Sequence, residues 1–233
     1  MPADYDAAPK PAGASLPRHD PVLPDGGTPA ERRLDLDALV RGRRSVRHLR
    51  PDPVPRDLVE RVIDAAGWAP SPHGTQPWRF AVLTDLAIKT RLADAMADAW
   101  VHNLAMDGQE PEVIARRLAG SRRRMLEAPV LIIVCLYRED LDRYPDPERQ
   151  AAETTMAIQS LGAAVQNALL TAYRLGLDAG WMCAPLFCPD VVRDALGLAD
   201  TLTPHALVAL GYAAADPRRR PRRTLSELIV LYE

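Results

Sequence analysis

Residues 129–137, PVLIIVCLY, form an unbroken apolar run that is rich in β-branched side chains. A run of this kind is typical of a central strand that is buried on both faces of a sheet. Outward from it, the sequence predicts three further strands at 78–84 (WRFAVLT), 176–185 (GLDAGWMCAP) and 205–213 (HALVALGYA). The fold is therefore expected to contain a sheet around the central strand 129–137.

Helical periodicity fills most of the sequence between these strands. The longest predicted helix, about 150–175, mixes small and large apolar residues, so a partner helix can pack closely against it. The C-terminal stretch 218–233, RRRPRRTLSELIVLYE, is basic and then strand-like. Helices outnumber strands in an irregular order, which predicts one α+β domain over residues 34–233. The predicted helices are 34–44, 55–69, 86–106, 110–127, 150–175 and 188–197.

Composition excludes several classes of protein. Residues 1–33 hold seven prolines and no apolar periodicity, which is typical of a tail or linker. The formal net charge is only −2 and aromatic residues make up 5%, which argues against nucleic-acid binding. No apolar run approaches the roughly 20 residues that span a bilayer. The N-terminus lacks the features of a secretory signal, so a cytoplasmic protein without membrane contact is expected.

The cysteines and histidines favour neither disulfides nor a metal site. Three cysteines form no even framework, and the five histidines are scattered. Cys183 and Cys188 are spaced like half of a metal site, but no second pair lies nearby, so two small buried apolar residues are the better interpretation. The dinucleotide fingerprint, the P-loop and the G-x-S-x-G elbow are also missing from the sequence.

A cluster of five arginines stands out at residues 41–50, RGRRSVRHLR, in a chain that is otherwise nearly neutral. Arg43, Ser45 and Arg47 alternate, so an extended backbone directs all three side chains to one side. Two guanidinium groups and a hydroxyl on one face suit a phosphate monoester. The alternative is a set of arginines that is simply solvated at a helix end. Further basic segments occur at 122–124 and 218–223.

The arginine cluster opens a longer pattern, RRSVRHLRPDPVPRDLVERVIDAAGWAPSPHGTQPWRF, with an R-x-S-x-R element, A-P-S and then Q-P-W. This pattern resembles the nitroreductase family of flavin enzymes. The resemblance continues through SRRRMLEAPVLIIVC, IQSLGAAVQNALLTAYRLGLDAGWM and VALGY, and it covers about residues 37–230. It implies an α+β fold with a central mixed sheet flanked by helices. It also implies FMN bound at the interface of an intertwined homodimer.

Carried over by position, the resemblance implies a set of flavin contacts. Arg43, Ser45 and Arg47 match residues that hold the FMN phosphate and ribityl chain, and Arg220 and Arg222 match further phosphate ligands. The other matches fall in the loop that one subunit lays against its partner's flavin (Ser71, Pro72, His73, Gln76), at the polar edge of the ring (Ser121, Arg124) and at the strand end near the flavin N5 (Met182, Cys183, Ala184). Many family members carry Glu-Gly where this chain has Cys183-Ala184.

Three segments narrow the resemblance: WAPSPHGTQPWRF, RYPDPERQAAETTMAIQSLGAAVQNALL and GWMCAPLFCPDVVRDALGL. They are similar to the C-terminal reductase domain of the bifunctional enzyme of coenzyme F-420 biosynthesis. That similarity implies reduction of the enol double bond of dehydro-coenzyme F-420 by hydride transfer from reduced FMN. One alternative is a broad-specificity nitroreductase or quinone reductase that uses NAD(P)H. Another alternative is a flavin- or deazaflavin-binding protein without turnover.

An anionic substrate needs a cation outside the phosphate site and an apolar slot over the flavin. The candidates are Arg116, Arg117, Arg122 and Arg123 for the cation, and Trp181, Met182 and Phe187 for the slot. A solvated helix face explains any single one of these arginines equally well. A small neutral aromatic substrate needs the slot alone.

Overall fold

The computed structural model describes residues 35–217 and 221–233. The predicted N-terminal tail, residues 1–33, lies outside the described residues. Within them, the predicted helices and strands occur in the predicted order, and two short elements, β1 (Leu49–Arg50) and α7 (Leu225–Leu228), are additional. The elements are α1 Leu36–Gly42, β1 Leu49–Arg50, α2 Arg56–Gly67, β2 Trp78–Leu83, α3 Leu86–Met106, α4 Pro111–Glu127, β3 Val130–Tyr137, α5 Pro147–Arg174, β4 Asp178–Met182, α6 Pro189–Leu196, β5 Leu202–Ala213 and α7 Leu225–Leu228.

The sheet is built around β3, as the apolar run predicts. The strand order is β1-β5-β3-β2, and β4 pairs with β5. Every residue of β3 from Val130 to Leu136 is buried. Even-numbered residues such as Ile132 pack with α2 and α5, whereas odd-numbered residues such as Ile133 pack with α3, α4 and α6. Because successive side chains of a strand point to opposite faces, β3 holds a helical layer on each side of the sheet.

Element boundaries differ from the prediction where local capping decides them. Helix α5 begins at Pro147, because the Asp146 carboxylate accepts a 2.9 Å hydrogen bond from the Arg149 N–H and proline suits the first helical position. Strand β5 begins at Leu202, because its ladder with β3 extends as far as Tyr137.

Two further expectations need correction. The resemblance implied a mixed sheet, whereas all the ladders between the described strands run antiparallel. The parallel contribution is a single bridge between Ser45 and Ala179. The strand-like interpretation of the C-terminus is wrong for this chain alone, since residues 229–233 join no ladder among the described residues and α7 precedes them. A strand needs a neighbouring backbone to satisfy its polar groups, and no described strand provides one for residues 229–233.

None of the described helices combines the length and the apolar character that a membrane span needs.

Candidate functional site

The arginine-rich segment 43–47 lies along the free edge of β4. The Val46 N–H donates a 2.9 Å hydrogen bond to the Ala179 carbonyl, and Ser45 bridges to the same residue. A Cβ at Gly180 would stand 2.2 Å from the Val46 carbonyl oxygen, so only glycine permits this approach. The sheet edge therefore fixes the backbone that carries Arg43, Ser45 and Arg47.

Arg43 is a half-buried cation. Its buried Nε and Nη1 atoms donate to no hydrogen-bond acceptor among the described residues. Burial lowers the pKa of Arg43, and the positive charges of Arg222 and Arg44 lower it further. The cleft beside this group also contains Asp216. A group of guanidiniums that repel one another, with buried donors unused, is suited to a bound anion.

Arg47 and Arg124 form a second pair of neighbouring cations. The Nε atom of Arg124 is buried without a partner among the described residues. Burial lowers the pKa of Arg124, followed by the charges of Arg47 and Arg123. The Arg124 side chain folds back along α4, where a Cβ at Gly120 would lie 3.4 Å from Nη1. Helix α4 and the segment 43–47 thus bring together two predicted site residues that are far apart in sequence.

Arg44 was not among the predicted site residues, although it lines the same cleft as Ser45 and Arg47. Its Nη1 donates to the carbonyl oxygens of Arg41 and Arg43, the latter at 2.6 Å. It therefore closes the C-terminal end of α1 and holds the backbone that leads into the cluster. The signal in the sequence is its spacing of three residues from Arg41, since an arginine at a helix end reaches the last free carbonyls.

The loop 71–76 is strained and well supported. His73 (φ 54°) and Gln76 (φ 47°) are the two non-glycine residues with positive φ in the described part of the chain. The Gln76 N–H donates a 3.0 Å hydrogen bond to Ser71 Oγ, and the Thr75 hydroxyl donates to the Pro72 carbonyl at 3.1 Å. Strain of this kind persists where surrounding contacts hold it and is concentrated at functional sites.

The end of β4 presents apolar side chains to solvent. Trp181 is 36% exposed and Phe187 is 71% exposed, while Met182 is half-buried. The Trp181 ring edge lies 4.0 Å from the position of a Cβ at Gly162 of α5. Trp181, Met182 and Phe187 are the side chains predicted from the sequence for the apolar slot.

Both cysteines in this region are free thiols. Cys183 is exposed, whereas Cys188 is half-buried with its Sγ 3.8 Å from the Ala184 carbonyl oxygen. Burial raises the pKa of Cys188. The described residues contain no cluster of three or more metal-ligating side chains.

The four arginines predicted to meet substrate on α4 have different surroundings. Arg122 forms an ion pair with Asp94 of α3, with 2.8 Å between Nε and Oδ1. Arg116, Arg117 and Arg123 are exposed, and no ion pair is described for them within residues 35–217 and 221–233. One of the four is therefore engaged in a contact between helices, and three remain on the surface.

Ser121 lies on a narrow crevice between α3 and α4. The crevice is lined by Met96, Trp100 and Met125, and Ala184 reaches it from the end of β4. Its free space suffices for about one water molecule. In this conformation the crevice therefore does not accommodate an aromatic ring.

The structure brings Arg43, Ser45, Arg47, Arg124 and Arg222 into one region. Arg220 lies outside the described residues. No hydrogen bond or ion pair described here joins the loop 71–76 to this cluster.

Comparison with known proteins identifies the chain's relatives. The family model described as "Nitroreductase family" matches residues 40–212. NADH dehydrogenase of Thermus thermophilus is 31% identical over 220 residues, which cover 84% of this chain and 96% of that protein. A BluB-like flavoprotein from Clostridium difficile superposes with a TM-score of 0.74 at 23% identity, covering 86% of this chain and 100% of that one.

A putative nitroreductase in complex with FMN from Desulfovibrio desulfuricans superposes with a TM-score of 0.64 at 26% identity. The match covers 89% of this chain and 99% of that chain. The family model spans most of the described domain, including the arginine-rich segment and all of the sheet except Ala213, the last residue of β5. The chain belongs to the nitroreductase family.

Proposed function

We propose that this chain is an FMN-dependent oxidoreductase that passes electrons from a reduced nicotinamide dinucleotide to a compact aromatic acceptor such as a nitroarene or a quinone. The observation that carries the proposal is the presence of two pairs of neighbouring cations, Arg43 with Arg222 and Arg47 with Arg124. In each pair one arginine, Arg43 or Arg124, has at least one buried guanidinium nitrogen without a hydrogen-bond partner among the described residues. FMN carries a terminal phosphate and a ring that becomes negatively charged on reduction. Two separate cation pairs fit these two ends of one ligand.

The residues of the chain bind and orient the flavin, which supplies hydride transfer when bound. Arg43, Ser45 and Arg222, with Arg220, hold the phosphate. Arg47 and Arg124, with Ser121, lie at the polar edge of the ring and stabilise its negative charge. The remaining contacts come from the backbone of Met182, Cys183 and Ala184 and from the partner's loop with Ser71, Pro72, His73 and Gln76.

A homodimer completes this site, and the C-terminal segment supports that part of the proposal. Leu228, Val230, Leu231 and Tyr232 are 60–98% exposed in the single chain. Exposed apolar side chains in such density mark an interaction surface. The loop 71–76, which no described contact joins to its own arginine cluster, then reaches the flavin of the second copy.

The free edge of β2 provides a docking place for that segment. No described strand pairs with this edge. Val82 on the edge is 44% exposed and lines an apolar groove with Val54, Val59 and Ile63. We place residues 229–233 of the second copy in this groove. Deletion of residues 229–233 should convert the dimer to a monomer in analytical ultracentrifugation and release the flavin, whereas an unchanged dimer contradicts this placement.

A compact acceptor fits the surroundings of the β4 end. Trp181 and Phe187 offer an exposed flat surface, and Arg122 already neutralises Asp94. A neutral ring needs the apolar surface and no further cation. The T. thermophilus relative is described as an NADH dehydrogenase, which supports a nicotinamide dinucleotide as the electron donor.

The test is anaerobic reduction of the FMN-loaded protein by NADH and NADPH, followed by addition of a nitroarene or a quinone. Bleaching of the flavin by a nicotinamide dinucleotide and its reoxidation by the acceptor are expected. A flavin that is bound but neither reduced nor reoxidised would leave the non-catalytic flavin-binding protein as the better account.

Reduction of dehydro-coenzyme F-420 is a second candidate, favoured by Arg116, Arg117 and Arg123. These exposed arginines, for which no ion pair is described, offer an anionic substrate the cations that a nitroarene does not need. Reversal of two charges, R116E/R117E, should lower turnover of the anionic precursor and leave nitroarene turnover unchanged. The matched control is R143E/R149E, at two exposed positions outside α4 and outside the proposed docking groove, which changes the net charge equally. Equal loss of both activities in R116E/R117E, or a wild type that does not reduce the precursor, excludes this candidate.

A further inference from the structure

Lys89 is a buried cation that is not among the residues of the proposed flavin site. It lies on α3 and is 4% exposed. Its Nζ donates a 2.7 Å hydrogen bond to the backbone carbonyl of Ala128. Burial lowers the pKa of Lys89, and Asp85 at the start of α3 opposes this shift. Burial of an ammonium group costs free energy unless hydrogen bonds or opposite charges offset the loss of water. The group that accepts its hydrogen bond therefore indicates what the lysine stabilises.

That partner is the residue at which α4 ends. Ala128 follows Glu127, the last residue of the helix, and is fully buried. The last carbonyls of a helix lack donors within the helix and carry the negative end of its dipole. The Lys89 ammonium satisfies one such carbonyl and attracts that end of the dipole. It therefore fixes where α4 stops and β3 begins.

Arg124 lies one helical turn before Ala128. Its guanidinium lies near Arg47, whose positive charge helps to lower the pKa of Arg124. Its buried Nε has no hydrogen-bond partner among the described residues. The backbone of the last turn of α4 therefore sets where this nitrogen lies.

We propose that Lys89 is a positioning residue that holds the Arg124 guanidinium at the polar edge of the flavin ring, by anchoring the last turn of α4 through the Ala128 carbonyl. The inference rests on the proposed function, which assigns Arg124 to that edge. Lys89 touches neither flavin nor substrate in this arrangement.

The main test is K89M, with FMN affinity and flavin midpoint potential as the measurements. Loss of the anchor should weaken FMN binding about tenfold, because a misplaced guanidinium forfeits most of a charge-assisted contact. The midpoint potential should become more negative, because the reduced ring loses a nearby positive charge. K89R keeps a cationic donor and should retain part of the affinity. Where K89M does not fold, K89Q removes the buried charge and serves the same test.

The matched control is R91M on the same helix. Arg91 also donates to a backbone carbonyl at 2.7 Å, but its acceptor is Ala195 of α6, away from α4. R91M should leave FMN affinity and midpoint potential unchanged even where it lowers the melting temperature.

G120A is a second control, on α4 itself. Alanine in a helix interior is more stable than glycine, so the melting temperature should rise. The added methyl would meet Arg124 Nη1 at 3.4 Å, an ordinary van der Waals distance, so FMN affinity should stay at the wild-type value.

The results with R124M, K89M and K89Q distinguish a failure of the role of Lys89 from a failure of the proposed flavin site. If R124M retains wild-type affinity, the assignment of Arg124 fails and the proposed site fails with it. If R124M weakens binding but K89M and K89Q keep wild-type affinity and midpoint potential below their melting temperatures, Lys89 is a structural residue and the inference is overturned.

Discussion

Arginines occupy two kinds of place in this molecule. On the outer helical surfaces they pair with nearby acids, as Arg56 does with Glu60 at 2.6 Å, where the two side chains are 92% and 61% exposed. In the cluster around segment 43–47, Arg43 and Arg124 are half-buried, repel other arginines and leave nitrogens without partners among the described residues. The first arrangement contributes little to stability and needs no ligand. The second leaves buried charge without a described partner, so we expect an anion to bind there.

The largest expected effect comes from removal of two cluster arginines. R43M/R222M should weaken FMN binding at least about 100-fold, because each charge-assisted contact contributes about 1.5–3 kcal/mol. Isothermal titration of flavin-free protein with FMN measures this change. The surface double variant R143M/R149M alters the net charge equally and should bind FMN normally. Equal FMN affinities of the two double variants would show that the cluster arginines do not differ from the surface arginines in ligand binding.

The buried thiol of β3 shows what burial does to an ionisable group without any ligand. Burial raises the pKa of Cys135 to about 12 from 9.0. In the unfolded chain the thiol therefore loses its proton near pH 9, whereas the folded chain keeps it. The free energy of unfolding should fall as the pH rises above 9, by about 1 kcal/mol at pH 10. Denaturant unfolding at several pH values should give a shallower alkaline decline for C135A; equal declines contradict the assignment.

Arg43 should destabilise the protein when no flavin is bound. Removal of a desolvated cation that repels Arg222 and Arg44 should raise the unfolding free energy of flavin-free R43M by about 0.5–1 kcal/mol. With saturating FMN the order should reverse, because the wild type gains more from the ligand. Thermal unfolding with and without FMN measures both. A flavin-free R43M that is less stable than wild type shows that Arg43 is a packing residue.

The smallest expected effect belongs to Arg122, which sequence analysis assigned to substrate. A double-mutant cycle with R122M and D94N should give a coupling energy of about 0.2–1 kcal/mol, because both side chains are partly exposed. Nitroarene turnover should stay unchanged in both single variants. A marked rise in KM for R122M alone would return Arg122 to the substrate site.

Much of this molecule could be predicted from local sequence. The run at 129–137 identified the central strand, and proline, glycine and apolar periodicity placed the other elements within a few residues. Capping residues such as Asp146 then moved a boundary, because a single side-chain hydrogen bond decides where a helix begins. The C-terminal segment was misjudged, since an apolar, β-prone sequence becomes a strand only where a partner edge is available.

The sequence by itself determined the fold class, the family and the existence of an arginine cluster, because these depend on residue order and spacing along the chain. Tertiary structure alone decided which arginines are paired. Arg122 and Asp94 are 28 residues apart in sequence, and Arg47 and Arg124 meet only because Gly180 lets segment 43–47 approach β4. Burial and charge pairing are properties of three-dimensional proximity, and in this protein they separate the arginines that are free to bind a ligand from those that are not.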